Sequence, residues 1–155
     1  MEPHNYTVDI HWENSRKGII CSPELNKEQG VCIEVATPPD FSKGIKGIWS
    51  PEHLFVASIS ACLMTTFLAI AESSTLEFTS FECNSIGKLE QIDNQLTISA
   101  IHLNPTVVIR NEKFRDKAIR IVKKAEATCL ISNSVTSKIT MAITIKVQPL
   151  LITTS

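Results

Sequence analysis

Glycine is scarce in this 155-residue chain, five in all, which argues against a glycine-rich loop cradling a nucleotide. Neither sign of charge is in excess. The 15 Lys and Arg stand against 16 Asp and Glu, for a net charge of −1, so no electrostatic footprint for nucleic acid or an anionic membrane is present. No CxxC pair occurs and the cysteine count of five is odd, so neither a disulfide framework nor a zinc finger is indicated. The four histidines (His4, His11, His53, His102) form no HxxxH or HExxH spacing, and no metal or cofactor is expected. A G-x-S-x-G elbow is also missing, which disfavours a serine hydrolase. The opening MEPHNYTVDIHW has no basic n-region and no apolar h-region, so it does not read as a signal peptide. The expectation is a cytoplasmic protein whose cysteines (Cys21, Cys32, Cys62, Cys83, Cys129) rest as thiols.

What is present is enough apolar material for a core. Hydrophobic residues make up 43 % and charged residues 20 %, which excludes a disordered chain. The length fits one domain over residues 1–155, able to bury roughly 70 % of its unfolded surface. Tyr6, Val8, Ile10 and Trp12 alternate with Thr7, Asp9 and His11, the period of a half-buried strand, with Trp12 in the core. Gly18–Cys21 and Val31–Val35 give two more strands. Pro38, Pro39, Gly44 and Gly47 mark a long loop from Thr37 to Ser50.

Ser50 suits an N-cap and Pro51 the first helical position. The residues from Leu54 to Ala71, LFVASISACLMTTFLAIA, are all apolar or small. Four hydroxyls (Ser58, Ser60, Thr65, Thr66) and the lack of close Lys or Arg weigh against a membrane span. A helix apolar all round is a central, covered helix. This one calls for a sheet on one side and a second subunit on the other. Two strands follow, Glu77–Glu90 and Gln95–Ile109, joined by an Asp93-Asn94 turn. A second helix runs from about Lys113 to Ala127, and Ile139–Val147 alternates as a closing strand. The order is βββ-α-ββ-α-β, an α+β plan.

Two cysteines stand apart by context. Cys62 lies in the middle of the apolar helix and Cys129 just beyond the end of the second. Cys21, Cys32 and Cys83 fall in strands, where a thiol passes for a small hydrophobe. SPEHLFVASISACL resembles the P-E-x-L-x(6–7)-C helix of the OsmC/Ohr family, the osmotically induced and organic hydroperoxide resistance proteins. KAEATCLISNSV resembles its second-cysteine motif, C-P-x-S-N-S, with Leu130 in place of the proline.

The resemblance implies an intertwined homodimer with two interfacial sites. It implies a peroxidatic Cys62, a resolving Cys129, a helix-entry glutamate at Glu52, an organic hydroperoxide substrate and a lipoyl-type dithiol reductant. A buried thiolate needs a stabilising partner. The resemblance implies an arginine held by Glu52. Arg16 lies near one of the family's two arginine positions, and Lys43 and Lys46 near the other. Glu52 and Cys62 are ten residues apart on one helix, about 15 Å along its axis, so Glu52 is expected to serve the thiol of a partner subunit. His53 is weighed as a residue at a substrate entrance, and Phe41, Trp49 and Phe55 as walls of an apolar pocket. The alternative from another class is a binding protein with the same dimer and idle thiols.

Overall fold

The computed structural model describes residues 2–25 and 31–148. They form two compact units, divided after Leu54.

The first unit is a three-stranded antiparallel sheet in the order β1 (Asp9–Asn14), β2 (Lys17–Cys21), β3 (Ile33–Ala36). Ser15, with φ 47°, turns β1 into β2. Glycine is required at position 18, because a Cβ there would stand 2.5 Å from the His11 carbonyl oxygen of β1. The alternation of the first strand is real, but its apolar face is not buried within the chain. Tyr6, Val8, Ile10 and Trp12 are 84, 64, 66 and 76 % exposed. Trp12 is therefore not a core residue here; its indole N–H donates to the Ser15 carbonyl at 3.1 Å. The period of a strand reports which residues share a face, not what lies against that face.

A second correction concerns the cysteines. Cys21 and Cys32 do not rest as thiols; they are joined in a disulfide with a Cα–Cα distance of 4.5 Å. The ladder explains why they meet. Ile20 pairs with Ile33, so the next residue outward on each strand is a cysteine.

The loop from Thr37 to Ser50 is closed by its own backbone. Ile45 donates to Thr37 at 2.9 Å, Gly44 to Phe41 at 2.9 Å and Phe41 to Pro38 at 3.1 Å. It leads into α1 (Pro51–Ser73), where Ser50 Oγ accepts the His53 N–H at 3.3 Å as an N-cap. By length and composition α1 is able to cross a bilayer.

In the second unit α1 contributes one stripe to the core: Ile59, Leu63, Phe67 and Ala71, every fourth residue. Met64 and Leu68 on the same helix are 39 and 40 % exposed. Within the chain the helix is thus covered on one side. Its stripe joins Ile101, Leu103, Val107 and Ile109 of β5 (Gln95–Ile109) and Ala118, Ile121, Val122 and Ala125 of α2 (Arg115–Ala127). Phe67 stacks on Phe81 of β4 (Phe78–Ile92) with ring centres 4.8 Å apart.

β4 and β5 form a long hairpin. Asp93 and Asn94 turn it with φ 48° and 64°, the paired positive values that a two-residue hairpin turn demands. Lys88 pairs with Ala100 but Leu89 with Ile98, so Ser99 is an extra residue. That bulge switches the inward phase of β5 from Ile98, an even position, to the odd positions Ile101 and Leu103.

The closing strand is two strands, not one: β6 (Lys138–Met141) and β7 (Thr144–Val147), both parallel to β5. Leu103 pairs with Met141 and Thr106 with Thr144, so Pro105 stands opposite the break. Proline has no N–H to carry a ladder across that point.

Candidate functional site

Cys62 sits on α1 one residue before the buried Leu63 and is half-buried. Cys129 follows the end of α2 and is fully buried. The structure brings the two thiols near enough for each to shift the other's ionisation. Sixty-seven residues of chain separate them, and the packing of α1 and α2 on β5 closes the distance.

A tight turn holds Cys129 in place. Its amide donates to Glu126 at 3.0 Å and its carbonyl accepts from Asn133 at 3.1 Å. Asn133 Nδ2 reaches back to the Ala127 carbonyl at 3.3 Å, and Ser134 Oγ donates to the Leu130 carbonyl at 2.8 Å. The Ser132-Asn133-Ser134 segment therefore folds the turn onto the end of α2. The Ser132 amide donates to Cys129 Sγ at 3.4 Å. The turn's backbone pairing leaves the Leu130 and Ile131 amides unused, and both favour the ionised form of Cys62.

The two thiols are driven in opposite directions. Burial pushes the Cys62 thiol up, but donors oppose it: the Cys129 thiol, the Ile131 amide, the Thr66 hydroxyl and the Leu130 amide. Together they hold Cys62 below the ordinary thiol range. Thr66 Oγ1 lies 4.0 Å from Cys62 Sγ, one helical turn along α1. Cys129 is raised, first by burial and then by its neighbour Cys62, while Ser132 works the other way. Of the two, Cys62 is the thiol that ionises more readily.

Glu52 lies in the first turn of α1, and its Oε2 is buried without a hydrogen-bond partner among the described residues. Arg16 is exposed in the β1–β2 turn, where its carbonyl accepts the Thr37 amide at 3.1 Å. Lys43, with φ 62°, and Lys46 are exposed in the loop before α1. None of these three cations pairs with Glu52 among the described residues. His53 Nδ1 lies 2.8 Å from Ser50 Oγ, and its ring meets Trp49 edge-on. Gly47, Ile48, Trp49 and His53 line an open hollow of about 260 Å³.

Sequence reasoning missed the donors to Cys62. Thr66 was legible in hindsight from its i+4 spacing. The amides carried one signal: Leu130 in place of a proline restores an N–H at that position.

Residues 44–144 match the family described as OsmC-like protein. The chain belongs to the OsmC family. The match spans the end of the loop before α1, both thiols and the elements from α1 to β6. An uncharacterised Bacillus subtilis protein, YmaD, is 22 % identical over 151 residues, 96 % of this chain and 97 % of that one. An OsmC-like protein of unknown function from Vibrio cholerae superposes with a TM-score of 0.79 at 21 % identity, covering 91 % of this chain and 99 % of the other. An organic hydroperoxide resistance protein from Elizabethkingia anophelis, with thiocyanate bound, superposes with a TM-score of 0.69 at 20 % identity, covering 95 % and 99 %. These likenesses give the OsmC/Ohr fold, a mixed α+β architecture.

Proposed function

We propose that this OsmC-family protein is a thiol-dependent peroxidase that reduces organic hydroperoxides through Cys62 and Cys129. The observation that carries the reading is that two free thiols, Cys62 on α1 and Cys129 after α2, are brought near enough to shift each other, one lowered and the other raised. The Cys62 thiolate attacks the distal oxygen of R–O–O–H; the O–O bond breaks, the alcohol leaves and Cys62 becomes a sulfenic acid. Cys129 then condenses with it, releasing water and forming a disulfide. A dithiol of the lipoyl type takes up the disulfide and returns both thiols.

The acting form is a homodimer in the cytoplasm. The uncovered side of α1, with Met64 and Leu68, and the exposed apolar face of β1 support a second copy. The buried, unpaired Oε2 of Glu52 supports a cation partner, with Arg16 ahead of Lys43 and Lys46. On this reading Glu52 serves Cys62 of the partner subunit.

Reduced protein is exposed briefly to a small excess of cumene hydroperoxide, quenched with an alkylating agent and weighed intact beside Cys62→Ser and Cys129→Ser. The wild type should lose two hydrogens to one mapped Cys62–Cys129 disulfide, and Cys129→Ser should stop at an oxidised Cys62. Two thiols still fully alkylated after minutes would sink the proposal. The second reading, a dimer binding a small apolar ligand, is favoured by the unpaired state of Glu52 and by the hollow at Trp49. It predicts that unreacted outcome together with ligand-induced quenching of Trp49 fluorescence.

A further inference from the structure

The first unit has a small core. Val35, Ala36, Pro38, Gly18 and Ser50 are its buried residues, and every residue of β1 is exposed. What ties β2 to β3 at its outer end is the Cys21–Cys32 disulfide. Three observations set this disulfide apart from an interior staple. Cys32 is exposed, so a small thiol has an open approach to its sulfur. The cysteines are only 11 residues apart, so closing the loop between them constrains the unfolded chain less than a long loop would. The four ladder pairs from Lys17–Ala36 to Ile20–Ile33 hold the register without the disulfide, so the two sulfurs stay opposed once it opens.

We propose that Cys21 and Cys32 form a second thiol–disulfide exchange site, a reversible clasp that small thiols such as glutathione open and small disulfides close. A thiolate RS⁻ attacks Cys32 Sγ. The Cys21–Cys32 bond breaks, a Cys32–S–S–R mixed disulfide forms, and the Cys21 thiolate leaves and takes a proton. A second RS⁻ attacks the R sulfur, releasing RSSR and the Cys32 thiol. The net change is one protein disulfide and two RSH to two protein thiols and RSSR, and closure is the reverse. Glu24 Oε1 accepts the Thr7 amide at 2.8 Å, so the segment leading into β1 is anchored three residues beyond Cys21.

The test traps thiols at fixed redox poise. Protein carrying Cys62→Ser, Cys83→Ser and Cys129→Ser is equilibrated in glutathione mixtures stepped from disulfide to thiol, acid-quenched and alkylated. Cys21 and Cys32 should gain two labels together across the series and lose them when the buffer is returned. Hydrogen exchange of Thr7 and of residues 22–25 should speed by about tenfold on opening, with the β5 amides unchanged. A pair that stays closed in millimolar glutathione until denaturant is added would overturn the proposal. So would a pair found as free thiols even in the oxidised mixture. Should the triple variant not fold, the wild type with peptide mapping reads Cys21 and Cys32 separately, and the same two results would overturn the proposal there.

Discussion

Cys62 and Cys129 act on each other in opposite senses: Cys129 lowers Cys62, and Cys62 raises Cys129. The sign of each pH effect follows. Cys62 ionises below the ordinary thiol range, so its alkylation rate should level off at lower pH than that of a free cysteine. Its contribution to stability is present above the ordinary range and fades as pH falls through the lowered value. That of Cys129 is present below the ordinary range and is lost as pH rises through its raised value.

Cys129→Ala removes one donor to a charged sulfur, about 1.5 kcal/mol. The Cys62 alkylation midpoint should move up, cutting its rate near neutrality by about tenfold. An unchanged midpoint would show that the amides and Thr66 hold the thiolate unaided.

Leu130→Pro deletes one of the two amide donors while keeping an apolar side chain. The Cys62 midpoint should rise by a smaller step, roughly threefold in rate at neutral pH. Proline also restricts residue 129. An α-hydroxy acid at position 130, which swaps the N–H for oxygen, should therefore give the same shift without that restriction.

Phe67→Ala should cost about 3–5 kcal/mol, because the ring is fully buried between Phe78 and Phe81. Urea unfolding followed in the far ultraviolet checks this. A loss under about 1 kcal/mol would mean that the site collapses onto the cavity.

Gly44→Ala should open the loop before α1, because the new Cβ would stand 2.0 Å from the Pro38 carbonyl oxygen. Backbone must shift there, so trypsin should cut at Lys43 and Lys46 faster than in the wild type. Equal cleavage would show that the loop absorbs the methyl group.

The elements whose residues carry their own local code were legible. Ser50-Pro51 announced the start of α1, Asp93-Asn94 the hairpin turn, and Phe114, Ala118, Ile121 and Ala125 the second helix. Both redox candidates were legible by position, Cys62 in a helix and Cys129 beyond one. What periodicity does not carry is non-local. The pairing of Cys21 with Cys32 depends on a register that only the folded sheet sets. The split between β6 and β7 depends on Pro105, a residue of a different strand. Nor does a hydrophobic stripe state whether it is covered by the same chain, as the exposed Trp12 illustrates.

The four-residue step of Ile59, Leu63, Phe67 and Ala71 is slightly longer than a helical turn, so the stripe drifts by about 40° at each step. The shoreline between dry and wet surface therefore spirals around α1 instead of running along it. Cys62 stands about 100° from Leu63 and Thr66 about 60° on the same side, so both lie on that shoreline. Moving the thiol one position forward, to 63, would drown it in the core; one position back, to 61, would strand it in water. The pitch of the helix thus fixes how far the sulfur can reach outward while staying within touch of Cys129.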